Sequence, residues 1–362
     1  MTVRRPRPPW FGRSARISCA SAGLLVLTAA LLTACTSGSP TSGSANADAT
    51  ASANGAENAG TSGKVSIFVI GGKSDDPFWS AVKRGGEAAA KAVKAAGGSV
   101  TFLGPQSYDN LGPDAAKLQL TALSQHPSAV VGPDWIPGNQ NDAWKQITAK
   151  GVPVFLYNAG GVAQAKQIGA LKYIGSDDYL AGKAGGAKFA EAGARHILCV
   201  NTVPGSANQE ARCKGIADGA AGKGATSTEL ALPSSNFGNP SAITQAIKAA
   251  LLKDRTVDAV VTIGVQDADS AAAALKQSQL AGKVKLGTFD VSASQLSRIK
   301  AGDQLFCIDQ QPYLQGYYAV SMAFQYVSYG LLPPQNPILT GPLLITADNV
   351  NAAIRGTKQG VR

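Results

Sequence analysis

The stretch "VSIFVIGGKSDDPFWSAVKRGG", residues 65–86, decides how the chain is read. Its first six residues are almost all apolar, as in a short buried strand. Gly72-Lys73-Ser74 then has the ending of a phosphate-binding loop, while Asp76-Pro77 has the form of a helix start, an acid at the cap and proline in the first turn. A phosphate loop needs a further glycine five positions before the Gly-Lys-Ser glycine. That position is Ile67, inside the strand, so the backbone cradle for phosphates is absent. The strand leads instead into a capped helix that opens with two adjacent aromatics, Phe78 and Trp79. Aromatic faces for C–H surfaces, with carboxylates or amides accepting hydroxyl hydrogens, suit a sugar.

The same strand-then-helix texture runs to the end of the chain. Strands are expected at 65–70, 100–103, 129–132, 153–157, 172–175, 196–200, 228–232, 259–263, 284–289 and 304–308. Between them Ala-, Lys- and Gln-rich stretches predict helices starting near Phe78, Asp114, Asn139, Tyr179, Gln209, Pro240, Asp267, Ser292 and Pro312. Apolar strands alternating with helices indicate parallel sheets covered on both faces. About ten such units are too many for one small sheet, so the fold class is α/β with two doubly wound, Rossmann-like lobes. Such sheets bind ligands at the carboxyl ends of their strands, which makes the residues just past each strand the ones to inspect. The Gly85-Gly86 pair inside a helix is unfavourable by itself and implies close packing against a neighbouring strand.

Ahead of this region lies a different kind of sequence. Arg4, Arg5, Arg7, Arg13 and Arg16 precede an apolar run from Ala20 to Ala34 that is short for a membrane span, and Cys35 comes next. This predicts a signal peptide over 1–34. "LTAC", residues 32–35, resembles the bacterial lipobox, in which the cysteine becomes the lipidated first residue; ordinary secretory cleavage is the alternative. Residues 35–63 contain no large apolar side chain and read as a disordered tether. Removal of 1–34 leaves 28 basic against 23 acidic residues, a net +5 in place of +10, which does not argue for nucleic acid. Cys199 and Cys213 flank an expected strand-to-helix turn. A disulfide there is chemically permitted outside the cytoplasm and would stabilise by about 3 kcal/mol, the alternative being two buried thiols. Cys307, in "LFCID", reads as a small core residue.

A set of motifs gives the pattern specificity: "DDPFW" (75–79), "GVPVFLYNAG" (151–160), "YIGSDDYLAGKAGG" (173–186), "EARCKGIADG" (210–219), "GTFDVS" (287–292) and "IDQQPYLQGYYAV" (308–320). In this order and spacing the chain resembles the type 1, ribose-binding-like, periplasmic sugar-binding proteins of bacterial ABC importers, from Lys64 almost to the C-terminus. The resemblance implies two lobes joined by a three-strand hinge, with the first lobe from 64–175 plus 310–345 and the second from 176–309 plus 346–362. Crossings between lobes are expected near 175, 290 and 310, or slightly later. The resemblance also implies a site. Asp76 takes the place of a hydrogen-bonding asparagine, and Phe78 and Trp79 those of two aromatics that sandwich the sugar ring. Asn158 stands where many members have aspartate, and Ala159 where ribose binders have arginine. Arg212 matches an arginine that donates to sugar oxygens, Asp290 the aspartate of the "FD" signature, Gln310 a hinge-side glutamine, and Phe237 falls near an aromatic of the second lobe. Gly264 occupies a usual asparagine position, for which Gln266 or Asp267 is expected to compensate. Each has a plainer reading: Asp76 and Asp290 as caps, Arg212 as a surface residue, the aromatics as core, Asn158 as a turn, Gln310 as a bond to hinge backbone. Asp134 and Trp135 read as loop structure and Asp177 as the cap of the helix at Tyr179.

The function these residues predict is capture of a monosaccharide or polyol by an exported protein, lipid-anchored to the outer face of the cell membrane, that delivers it to an ABC permease and its ATPase. A monomer is expected, without metal, organic cofactor or nucleic-acid partner. The alternative is a receptor that senses a sugar-like signal, an autoinducer-type furanose or a nucleoside, without transport. Catalysis is not expected: the two histidines, His126 and His196, have no metal spacing, and no His-Glu-x-x-His or Gly-x-Ser-x-Gly motif occurs. A repressor would need an N-terminal helix-turn-helix where this chain has the signal and tether.

Overall fold

The computed structural model describes residues 64–362, so the signal peptide, Cys35 and the tether lie outside the described residues. Lobe 1 is built from β1 (Ser66–Ile70), α1 (Pro77–Ala95), β2 (Ser99–Leu103), α2 (Leu111–Ser124), β3 (Ala129–Gly132), α3 (Pro137–Ala149), β4 (Val154–Tyr157), α4 (Gly161–Ile168) and β5 (Lys172–Ser176). Lobe 2 repeats the alternation with α5 (Asp178–Glu191), β6 (His196–Asn201), α6 (Ala207–Ala221), β7 (Thr226–Ala231), a 3-10 turn (Ser234–Asn236), α7 (Pro240–Lys253) and β8 (Ala259–Thr262). It continues with α8 (Val265–Gln277), β9 (Lys285–Phe289), α9 (Ala293–Ala301) and β10 (Phe306–Asp309). The chain then forms α10 (Pro312–Tyr329), β11 (Ile338–Gly341), β12 (Leu343–Ile345) and α11 (Val350–Lys358). The two sheets have matching orders, β2-β1-β3-β4-β5-β11 and β7-β6-β8-β9-β10-β12. All pairings are parallel except β10 with β12.

The strand pleat explains why these runs are apolar throughout. In β1, Ile67 and Val69 pack in one core with Val82 and Val93 of α1 and Val320 of α10. Phe68 and Ile70 point the other way, into a core with Trp144 and Ile147 of α3. In β6, Ile197 and Cys199 likewise oppose Leu198 and Val200. All ten expected strands form. The short β11 and β12 and the helices α4 and α11 were not anticipated from the sequence.

The chain crosses between the lobes after β5, after β10, and between β11 and β12. No crossing occurs near 290, where β9 leads into α9 of the same lobe; the expectation there is corrected. Residues 343–345, expected in lobe 1, pair with β10 in lobe 2, antiparallel. The three crossings pack on Gly341, where an added Cβ would press on the Ser176 hydroxyl and the Asp309 carbonyl. Asp177 caps α5 by accepting from the Leu180 amide at 2.9 Å, as expected. Cys199 and Cys213 are bridged, tying β6 to α6, and Cys307 is a buried free thiol. No helix among the described residues is long and apolar enough to cross a membrane.

The glycine pair in α1 has two partners. Gly86 faces the Phe102 ring of β2, as expected of a neighbouring strand, but Gly85 lies against the backbone of α10, where a Cβ would overlap the Tyr313 carbonyl. Gly316 of α10 lies in the same way against Val82 of α1. In an isolated helix Gly85→Ala would stabilise by about 1 kcal/mol. Here it is expected to destabilise by about 1–2 kcal/mol through overpacking, read as a lower urea midpoint; an increase would show that α1 and α10 separate without penalty.

Candidate functional site

The strand ends of both sheets open onto one cavity between the lobes, and the residues that shape it are set by how each strand stops. β4 and β9 hold equivalent positions in the two sheets. Each ladder runs one residue past its strand: the Asn158 amide donates to the Ile174 carbonyl at 3.0 Å, and the Asp290 amide to Ile308 at 2.8 Å. Both residues then adopt positive φ, 66° and 67°, a conformation that Asn and Asp tolerate better than most side chains. The backbone turns away and the side chains are left at the cavity wall.

Around these two, lobe 1 contributes Asp76, Phe78, Trp79, Tyr108, Leu111 and Trp135. Lobe 2 contributes Val203, Ser206, Asn208, Gln209, Arg212, Phe237 and the 263–266 segment with Gln266, and Gln310 comes from the crossing after β10. The cavity measures about 80 Å³. The lobes touch around it. The Ala207 amide at the start of α6 donates to the Trp135 carbonyl at 2.8 Å. Val203 of lobe 2 packs in one apolar cluster with Leu111, Ala115, Trp135 and Ala159 of lobe 1. This is a closed arrangement.

Arg212 is 3% exposed and anchored on three sides. Its Nε donates to Asp178 and its Nη1 to the Ile263 carbonyl, both at 2.8 Å, and its guanidinium lies 4.6 Å from the Phe289 ring centroid. Nη2 is buried with no partner among the described residues. Asp76 is the cap of its plainer reading, Oδ1 accepting from the Phe78 amide at 2.9 Å, and its Oδ2 accepts from the Tyr108 hydroxyl at 3.1 Å at the cavity wall. Gln310 donates its amide to Asp290, leaving Oε1 buried and unpartnered. Trp79 meets Trp135 edge-on at 5.3 Å and Phe78 at 5.1 Å.

The wall is rich in acceptors and poor in cations. Burial raises the Asp290 carboxyl to about 7, against the pull of Arg212 and Gln310. Burial also raises Asp76, opposed by its bonds from Phe78 and Tyr108. Asp178 rises to about 6 by burial despite Arg212. Among the described residues, the only basic side chain in the wall is Arg212, and it is already paired. No group of three His, Cys, Asp or Glu side chains able to hold a metal occurs among the described residues.

Nine of the ten expected ligand residues reach this wall. Asp267 does not: it is fully buried behind Gly264, where Oδ2 accepts from the Thr202 hydroxyl at 2.8 Å. Of the expected pair of substitutes, Gln266 is the one at the wall. Trp135 is corrected from loop structure to a cavity wall, because the loop after β3 turns inward to meet Trp79 and α6. Asp134 is buried, and neither carboxylate oxygen has a partner among the described residues. Tyr108, Asn208 and Gln209 were missed. Asn208 and Gln209 precede Arg212 by four and three residues, one helical turn, so helical spacing could have found them. Tyr108 sits five residues past β2, beyond the strand-end window.

The chain belongs to the periplasmic binding protein family: the family model described as a periplasmic binding protein domain matches residues 65–330. Among solved structures, a carbohydrate transporter from Acidothermus cellulolyticus 11B in complex with myo-inositol is 29% identical, with a TM-score of 0.74 over 83% of this chain and 100% of that one. GanP, a glucose-galactose binding protein from Geobacillus stearothermophilus, is 20% identical at a TM-score of 0.70, covering 79% of this chain and 99% of its own. A solute-binding protein from Burkholderia graminis C4D1M in complex with D-arabinose is 20% identical at 0.70, covering 80% and 97%. The last two share the fold. No curated protein sequence matches the chain.

Asp267 gives a test of the buried carboxylates. Burial raises it from 3.8 to about 7, so the folded state holds its proton more tightly than the unfolded state. Its contribution is therefore most favourable at low pH and declines as pH rises from about 4 to about 7. The ligand-free protein should melt at lower temperature at pH 8 than at pH 5, and Asp267→Asn should flatten that decline and raise the pH 8 melting temperature. An unchanged profile in the variant would show that Asp267 keeps its ordinary acidity.

Proposed function

We propose that this protein is an extracytoplasmic, lipid-anchored solute-binding protein that captures a monosaccharide or cyclic polyol between its lobes and delivers it to an ABC import permease and its ATPase. The observation that carries the reading is the chemistry of the closed cavity. Its polar walls present mainly acceptors: two carboxylates, the Asn158 side chain, and the unpartnered amide oxygens of Gln310 and Gln209. Its one buried cationic donor is the free Nη2 of Arg212. A ligand that fits must bring many hydrogens to donate, carry no net negative charge and offer apolar C–H faces to Phe78, Trp79 and Trp135. A single polyhydroxylated ring meets all three conditions.

The myo-inositol complex of the Acidothermus protein supports the polyol class and makes cyclitols a first choice beside pentoses and hexoses. In this reading Asp76, Asn158, Asp290 and Gln310 accept hydroxyl hydrogens, Arg212 donates, Gln266 closes one side, and Phe78, Trp79 and Phe237 form apolar walls. Binding occurs without turnover, by a monomer. Cys35 carries the lipid and 35–63 the tether that keeps the lobes near the permease.

The test is thermal unfolding of residues 64–362 against pentoses, hexoses, cyclitols, nucleosides and sugar acids. A ligand at a hundredfold excess over its Kd stabilises by about 2.7 kcal/mol. One neutral polyol should raise the melting temperature, sugar acids should not, and Asp290→Asn should weaken that polyol by roughly ten- to a hundredfold. A shift with sugar acids and none with neutral rings would sink the reading.

A further inference from the structure

The cavity has a neighbour. A second space of about 290 Å³ lies just outside it, lined by Lys73, Asp75 and Gly238 together with Asp76, Tyr108, Phe237 and Gln266, which also line the inner cavity. The shared side chains are the partition, and its bulk is two aromatic rings from opposite lobes. Tyr108, on the β2–α2 loop, meets Phe237 of lobe 2 edge-on, with centroids 4.8 Å apart and planes at 84°.

The two rings are held differently. Tyr108 is fastened at its tip: its hydroxyl accepts from the Lys73 amide at 3.0 Å and donates to Asp76 at 3.1 Å. The ring cannot swing without breaking both bonds and releasing a carboxylate of the inner wall. Phe237 has no polar tip. It comes after the 3-10 turn and precedes Gly238, whose φ is +75°, so it is carried by lobe 2 and meets Tyr108 of lobe 1 across the gap between them. The outer space is polar, with Lys73 and Asp75 paired at 3.5 Å, a lining suited to hydroxyl groups.

We propose that the Tyr108–Phe237 pair is the size filter of the site: it closes across the lobes behind a single bound ring, and its two rings, the bulk of the partition, keep the outer polar space from receiving a second, glycosidically linked ring. The inference rests on the polyol reading and adds to it that the ligand carries no substituent toward this wall. The phenol ring acts as the barrier, while its hydroxyl positions Asp76, so the two roles can be separated.

The experiment is calorimetric titration with free rings and their glycosides as matched probes: D-glucose with maltose, D-galactose with melibiose, myo-inositol with its galactoside. The wild type should bind one free ring and discriminate against its glycoside by about a hundredfold or more. In Tyr108→Ala, and independently in Phe237→Ala on the other lobe, that ratio should fall to about tenfold or less. Tyr108→Phe should keep the discrimination while changing the pH dependence of binding, because the ring remains and the bond to Asp76 is lost. The filter is refuted if the wild type binds ring and glycoside alike, or if a folded alanine variant binds the ring and still rejects the glycoside. Failure of the wild type to bind any free ring would instead refute the polyol reading, and the filter with it.

Discussion

The lower half of the site depends on one buried guanidinium. Arg212 is held by Asp178 at the start of α5, by the Ile263 carbonyl at the end of β8, and by the Phe289 ring at the end of β9. Each contact comes from a different element, so the position of Nη2 reports the assembly of the whole lobe. A buried ion pair contributes little to stability, because desolvating both charges offsets their attraction. Its effect is geometric: in the proposed function, a donor already stripped of water and fixed in place would lose little freedom when a ligand oxygen reached it. The sequence around it makes that depth accessible. Gly182 leaves room for the Arg212 carbonyl and Gly215 for that of Tyr179, bringing α5 and α6 close. The Cys199–Cys213 bridge then pins α6 to β6 one residue past the arginine.

Against this single cationic donor stand the carboxylates of both lobes. Asp76 belongs to lobe 1 and Asp290 to lobe 2, and across the gap Asp76 adds to the upward shift of Asp290 and of Asp267, after burial itself. Closing the lobes therefore brings like charges together in a drying space. In the proposed function, ligand hydroxyl hydrogens would relieve that repulsion without adding charge. Closure and occupancy would then be coupled through the same atoms, since a ligand shifts such an equilibrium only by its differential affinity for the closed form.

The fold was legible because its strands are buried on both faces. Sequences such as "SIFVI" and "AVVG" leave no alternative to a covered parallel sheet, whereas β11 and β12 are short edge strands of mixed burial and carry no comparable signal. The misplaced crossing has the same origin. A strand followed by "DVS" looks alike whether the chain stays in its lobe or leaves it, and only pairing across the sheet decides. At the site, residues immediately past a strand were found because strand ends are where such sheets place ligands. Tyr108 and Trp135 were not, since their inward turn depends on contacts with Asp76, Trp79 and the opposite lobe. Asp267 shows the limit of counting residue types: one position from Gln266, it is turned into the lobe by Thr202, and no local pattern distinguishes the two.

The contacts that close the lobes are few and mostly uncharged. Apart from the crossings they include the backbone bond from Ala207 to Trp135, the Tyr108–Phe237 edge contact, the cluster around Val203, and a bond from Arg84 of α1 to the Gly360 carbonyl past α11. Neutral hydrogen bonds and aromatic pairs each contribute only about 0.5–1.5 kcal/mol. The facing carboxylates oppose them. On the proposed reading, a closed form held by such small terms gives way without a ligand, whereas one held by strong ion pairs would stay shut after the ligand had left. Moving a two-state equilibrium from mostly open to mostly closed needs a differential affinity of about 5.5 kcal/mol, and a ring that satisfies several buried acceptors and one arginine can supply it. On that reading the weakness of the interlobe contacts would let the hinge respond to occupancy, with the three crossings packed together against Gly341, where there is no side-chain bulk.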